Sequence, residues 1–139
     1  MVRGLLSTNV GSREIREVGR LLLVGSCVID EYPDIFEKYR VGRVPLKVCM
    51  EREHINMVAL KIASILARLE IKEVVILTVD GSPHCISLHH AVEEAVKVSK
   101  SNTKVVHIVI ERGKDITIDN KAVKIARYLS KVNKLIKKD

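Results

Sequence analysis

The sequence predicts a single α/β domain, a flavodoxin-like or Rossmann-like three-layer sandwich with about four parallel strands, and three observations predict it. Four short apolar runs rich in β-branched residues punctuate the chain: "RLLLVGS" (20–26), "VPLKVC" (44–49), "EVVILTV" (73–79) and "KVVHIVI" (104–110). The third and fourth are almost continuously apolar, as strands covered on both faces require. Segments of helical period lie between and after them, the alternation of a parallel sheet with helices packed on it. At 139 residues the whole of 1–139 makes one domain, able to bury roughly two thirds of its surface without disulfides or metals.

The elements follow in order. Residues 1–19 hold either a short helix or a loosely ordered segment. After the first strand, a short helix around 33–39 leads to the second. The segment 53–69, "EHINMVALKIASILARL", puts Ile55, Val58, Ile62, Ile65, Leu66 and Leu69 on one face at 100° per residue. That face should lie on the sheet, with Met57 and Leu60 projecting elsewhere. The third strand ends in "DGSP", where Ser82 is a favoured N-cap and Pro83 falls at N1. The helix it starts runs to about Ser99, with Leu88, Ala91, Val92 and Ala95 inward and Glu93, Glu94 and Lys97 outward. A last helix over 119–137 carries Ala122, Ile125, Ala126, Leu129, Val132 and Ile136 on one face, and Lys124, Arg127, Lys131, Lys134 and Lys138 on the other. There is no internal repeat, low-complexity segment or dividing linker.

Composition narrows the function classes. With one Phe, three Tyr and no Trp, the chain lacks the aromatic platforms on which single-strand binders stack bases. No eighteen-residue apolar stretch exists, and the N-terminal "MVRGLLSTNVGSREIREVGR" lacks a leader pattern, so a soluble cytoplasmic protein without membrane contact is expected. Three cysteines, each just after an apolar run, suit a reducing compartment better than a disulfide framework. The absence of Gln beside abundant Lys, Glu, Arg and Ile points to a thermophilic host. The net charge of +7 is concentrated in the last quarter of the chain. That basic face could contact phosphates, but a solvated Lys face keeps any terminal amphipathic helix soluble, and neither aromatics nor a helix-turn-helix pattern accompanies it. Nucleic acid is not the expected partner.

In an open parallel sheet, ligands bind beyond the carboxyl ends of the strands. Three loops there are "GSCVID", "CMEREH" and "DGSPHC", and every cysteine lies in one of them. Cys27, Cys49 and Cys85 should therefore converge, with Asp30, Glu51, His54, Asp80, His84 and His89 nearby. Cys85, at N3 of its helix, meets the positive end of the macrodipole, an environment favouring thiolate, and a protonated His84 would add to it. Cys85 and His89, four apart, can share a helical face as a chelating pair, while His84 points inward and His90 towards solvent. The candidate metal ligands are thus Cys27, Cys49, His84, Cys85 and His89. The plain alternative is that these cysteines are small buried hydrophobes at strand ends. No CxxC pair occurs, so a zinc ribbon or finger is excluded. "VGS" and "DGS" offer a rival chemistry: Ser26, Gly81 and Ser82 can present backbone N–H groups to a phosphate-bearing cofactor. Neither loop completes GxGxxG or GxxxxGK[ST], and no cysteine begins a CxxxxxR loop.

Two likenesses attach to these loops. "DGSPHCISLHHAVEEA" resembles a segment of uncharacterised prokaryotic proteins associated with ferredoxin-type iron–sulfur proteins. The layout of "VPLKVCMEREHI", a helix, then a strand ending in "GSPHC" loosely resembles the iron–sulfur delta subunit of methyl-viologen-reducing hydrogenase, which passes electrons to heterodisulfide reductase. The likeness covers about 44–95. It implies Cys49 and Cys85 as cluster ligands, with Cys27 as a third. The family's other cysteines have no counterpart here, so a four-cysteine [2Fe–2S] site in one chain is excluded, and a cluster would draw on His84, His89 or a partner's ligand.

The expectation is a small cytosolic redox-associated protein. It would use Cys85, with Cys49 and Cys27, to bind a metal ion or iron–sulfur cluster or to exchange thiols with a redox protein partner or a second copy of itself. A phosphate- or nucleotide-binding module using the same loops is the first alternative, and a structural or assembly protein without a working site the second.

Overall fold

Leu21, Leu22, Leu23 and Val24 form an unbroken buried run, and a strand can bury every residue only when both its faces are covered. The computed structural model, which describes residues 1–137, supplies that cover. In chain order its elements are β1 (Arg3–Gly4), α1 (Arg13–Val18), β2 (Arg20–Gly25), α2 (Ser26–Glu31), α3 (Pro33–Arg40), β3 (Val44–Val48), α4 (Ile55–Arg68), β4 (Glu73–Val79) and α5 (Cys85–Ser99). The chain continues through β5 (Lys104–Glu111), β6 (Lys114–Ile118), α6 (Asn120–Ala126) and α7 (Leu129–Lys137).

Six strands form one sheet in the order β1-β3-β2-β4-β5-β6. All neighbours are parallel except β5 and β6, which are antiparallel. The four expected strands form the centre, and the two additional ones are the edges. β6 arises from a two-residue hairpin: Arg112 and Gly113 both have positive φ, 51° and 77°, the geometry whose twist matches the flanking strands. Its sequence, "KDITI", is too short and too polar to announce a strand by itself.

From β2 the chain winds to β3 on one side, then crosses back to β4 and β5 on the other. Helices consequently pack on both faces, as right-handed crossovers demand. Leu21, Leu23 and Ile76 face α1, α4 and α5, where Ile15, Ile62, Ile65 and Val92 complete one core. Leu22, Val24, Val75 and Ile108 face α2 and α3, where Val28 and Phe36 complete the other.

Of the two alternatives for 1–19, the short helix is the one present: Leu5 and Ile15 are fully buried, Ser12 Oγ accepts from Ile15 N, and Gly19 closes α1 in the left-handed conformation at φ 68°. Two expectations change. Ile55 is 39% exposed, at the first position of α4, whose buried residues begin at Val58. The helix expected over 119–137 is two helices, and one continuous buried face does not form. Val123 is the buried residue of α6, whereas Leu129 and Ile136 of α7 are 80% and 70% exposed. The sheet ends at β6, most of whose residues are exposed, so no apolar sheet surface remains for α7 to cover. Lys138, placed on the basic face of that helix, lies outside the described residues.

Candidate functional site

The direction of winding reverses between the paired strands β2 and β4, so the connections leaving their carboxyl ends run to opposite sides and leave a crevice, the position at which open α/β sheets bind ligands. A cavity of about 130 Å³ occupies it. Gly25, Ser26 and Cys27 line one side, Cys49 and Glu51 a second, and Thr78, Ser82, His84 and Cys85 a third. The structure thus brings Cys27, Cys49, Cys85 and His84 to one pocket, with Ser26 and Ser82 on its wall.

Local geometry positions each group. Ser82 Oγ accepts from Cys85 N at 3.2 Å and Ser82 O from Ile86 N at 3.3 Å, so the capping expected at Ser82 is present although the regular helix starts at Cys85. Cys49 is held in a tight turn, its N–H donating to Glu53 Oε2 at 2.6 Å and its carbonyl accepting from Arg52 N and Glu53 N. His54 has a different task, because its Nδ1 accepts from Asn56 N and caps α4. Asp30 is exposed on α2 and does not line the pocket. Cys27 keeps an exposed edge, yet burial, and next the neighbouring Cys85, push its thiol above the ordinary value.

His89 stands apart from the thiols. It is 3% exposed and faces the sheet, where Nε2 meets Thr78 Oγ1 at 2.7 Å and Nδ1 meets His107 Nδ1 at 2.8 Å. Both ring nitrogens are engaged, so the Cys85–His89 chelating pair does not form. Among the described residues, no group of three or more His, Cys, Asp or Glu side chains is arranged to hold a metal ion. The donor set therefore does not fit a cluster held by this chain alone.

The partners of His89 were missed by sequence reasoning. His107, fully buried on β5, bonds through Nε2 to Glu93 Oε2 at 2.9 Å. Glu93, expected to face outward, instead turns to meet it. The available signal was a lone His inside the apolar strand "KVVHIVI", since a buried imidazole must find partners. With both imidazoles neutral the chain has one consistent direction. The Glu93 carboxylate only accepts, so His107 Nε2–H donates to it, His89 Nδ1–H donates to His107 Nδ1, and Thr78 Oγ1–H donates to His89 Nε2. Burial, then His107, then His90 hold His89 down to about 3, which keeps it neutral.

On the other side of α5, a cavity of about 390 Å³ lies between α5, β5, β6 and α6. Asp80, Gly81, His89 and His107 border it, and Thr78 and Ser82 border both this cavity and the thiol pocket. Gly81 thus belongs to this larger cavity rather than beside the cysteines; its φ of 92° suits a residue without Cβ. A third cavity, about 260 Å³, adjoins the thiol pocket at Ser26 and Cys49 and is lined also by Lys47 and Arg52.

A family model described as Rossmann-like domain matches residues 15–138. The chain belongs to that family. The match runs from α1 onward and leaves β1, the outer edge strand, outside. This Rossmann-like domain matches no curated protein and no solved structure, and the family match itself carries no link to iron–sulfur proteins or to a hydrogenase subunit. Among the described residues, no helix is long and apolar enough to cross a membrane.

Proposed function

We propose that the domain is a thiol-exchange protein acting through Cys27 and Cys85 on a disulfide-bearing partner, a redox protein or a second copy of the chain. The observation that carries this reading is the meeting of three cysteines in one pocket at the switch point, with Cys27 beside Cys85. At about 130 Å³ the pocket is well below the roughly 300 Å³ at which sites begin to enclose whole cofactors. It suits a sulfur presented by a protein or a short thiol.

Cys85 is the first residue of α5 and meets the positive end of its macrodipole, so the first attack is given to Cys85. Cys85 thiolate attacks one sulfur of the partner disulfide, forming a mixed disulfide and expelling the other partner sulfur as thiolate. Cys27 thiolate then attacks the Cys85 sulfur, closing Cys27–Cys85 and releasing the second partner thiolate. Two electrons pass from the cysteines to the partner, and the two protons leaving the cysteines are taken up by the released thiolates. His84, exposed on the rim, can carry them.

The test is equilibration with glutathione and its disulfide, followed by peptide mapping by mass spectrometry. The native chain should gain a Cys27–Cys85 bond with Cys49 still reduced, and Cys27→Ser should accumulate glutathione on Cys85. Independent glutathionylation of all three cysteines, with no internal bond, would overturn the proposal.

A second reading rests on the adjoining cavity, lined by Ser26, Lys47 and Arg52 together with the carboxylate of Glu53, where the two cations could hold the phosphate of a small ligand or nucleotide. Calorimetry with inorganic phosphate and ADP at low salt should then show binding that Arg52→Ala weakens about tenfold or more and Cys85→Ser leaves unchanged. Absence of heat for both anions counts against it.

A further inference from the structure

The larger cavity has features that thiol exchange does not use. Its walls are apolar, from Pro83, Ile86, Val109, Ile118, Val123 and Ala126. Its volume, about 390 Å³, falls within the roughly 300–1,000 Å³ range of small-molecule sites. At its inner end lie Thr78 and the two buried histidines, 1%, 3% and 0% exposed. The exposed carboxylate of Asp80 borders its mouth.

The direction of the hydrogen-bonded chain determines what that inner end offers. With both imidazoles neutral, Thr78 Oγ1–H donates to His89 Nε2, His89 Nδ1–H to His107 Nδ1, and His107 Nε2–H to Glu93 Oε2. What remains for a cavity occupant is lone-pair density on Thr78 Oγ1, an acceptor. Asp80 at the mouth is also an acceptor.

We propose that this cavity is a binding site for a small, largely apolar molecule carrying a hydroxyl or N–H donor, with Thr78 as its buried acceptor. The chain behind Thr78 is a positioning device: Glu93, through His107 and His89, orients the Thr78 hydroxyl so that its lone pairs face the occupant. A ligand whose polar group only accepts leaves Thr78 unmatched and gains nothing over a hydrocarbon of the same shape.

The test uses three probes on the full-length chain: 4-methylphenol, which has a donor; toluene, which lacks the hydroxyl; and 4-methylanisole, whose ether only accepts. Titrations followed by methyl and imidazole ¹⁵N NMR should show 4-methylphenol shifting the Ile86, Val109 and Ile118 methyls together with the His89 ring nitrogens. It should bind about threefold to tenfold more tightly than toluene, the range of one net hydrogen bond, with 4-methylanisole no tighter than toluene. Ala126→Phe, which fills the cavity, should abolish all three. The proposal is overturned if none of the probes moves those methyls in the native chain, if the shifts map elsewhere, or if the ether binds as tightly as the phenol.

Discussion

Lowering the pH from about 6.5 towards 3 is expected to remove stability at up to ~1.4 kcal/mol per pH unit, with His89 as the cause. His89 is neutral in the native state because burial, then His107 and His90, drop it from 6.5 to about 3. Above 6.5 both folded and unfolded chains carry it neutral, and it contributes no pH dependence. Below 6.5 the unfolded chain binds a proton that the native chain refuses, so stability falls as pH falls. The slope ends near 3, where the native imidazole also titrates. The full loss is of order ~5 kcal/mol, comparable to the lower end of a small domain's whole stability. His90, also lowered, first by burial and then by Arg127, adds in the same direction. Asp115 acts lower down: hydrogen bonds from Tyr39 and then Lys38 hold its carboxyl near 2, so its contribution is lost between about 3.8 and 2. The diagnostic window is therefore pH 5 to 6.5, above the ordinary carboxylates. Urea midpoints of the native chain should fall across that window, and those of His89→Leu should fall much less; parallel curves would remove His89 as the cause.

The second large effect comes from interrupting the same chain at its centre. His107→Leu leaves the His89 Nδ1–H donor buried without a partner and takes the partner from Glu93 Oε2. The expected cost is about 1–3 kcal/mol from the stranded donor, on top of any repacking against α5. Because His89 and His107 are in direct contact at 2.8 Å, with ring centroids 5.0 Å apart, their substitutions should not add. In a double-mutant cycle, His89→Leu with His107→Leu should be less destabilising than the sum of the singles by about 0.5–3 kcal/mol, since the pair removed together strands fewer groups. Urea unfolding of the four proteins at pH 7 measures this. Strict additivity would show that the two rings are neighbours without being coupled.

How far the site was legible depended on the range of the forces involved. The four central strands and α3, α4 and α5 follow from apolar runs and from period, both local properties, and they match the expected spans within one or two residues, whereas α2 forms from "SCVIDE", which was expected as loop. The edges did not follow. β1 has two residues, and β6 exists because a positive-φ Arg112–Gly113 turn folds "KDITI" back onto β5. The convergence of the cysteines was readable because each ends a strand of one parallel sheet, so topology alone sends all three to one rim. The position of His89 was not readable from its spacing to Cys85. A helical wheel gives angles between side chains but does not say which of two facing surfaces a given angle meets.

The amino-acid sequence by itself determined a parallel α/β sheet, its helix starts, and the rim at which its thiols gather, because strand burial, capping and loop order are written in neighbouring residues. Only the tertiary structure decided that His89 turns from the thiols to a buried partner contributed by β5, that Glu93 faces inward, and that α5 separates a small sulfur-lined pocket from a larger apolar cavity. The physical reason is that buried imidazoles must be hydrogen-bonded: His89 on α5 finds Thr78 on β4 and His107 on β5, and His107 finds Glu93 on α5, contacts that exist only once α5 has packed onto β4 and β5.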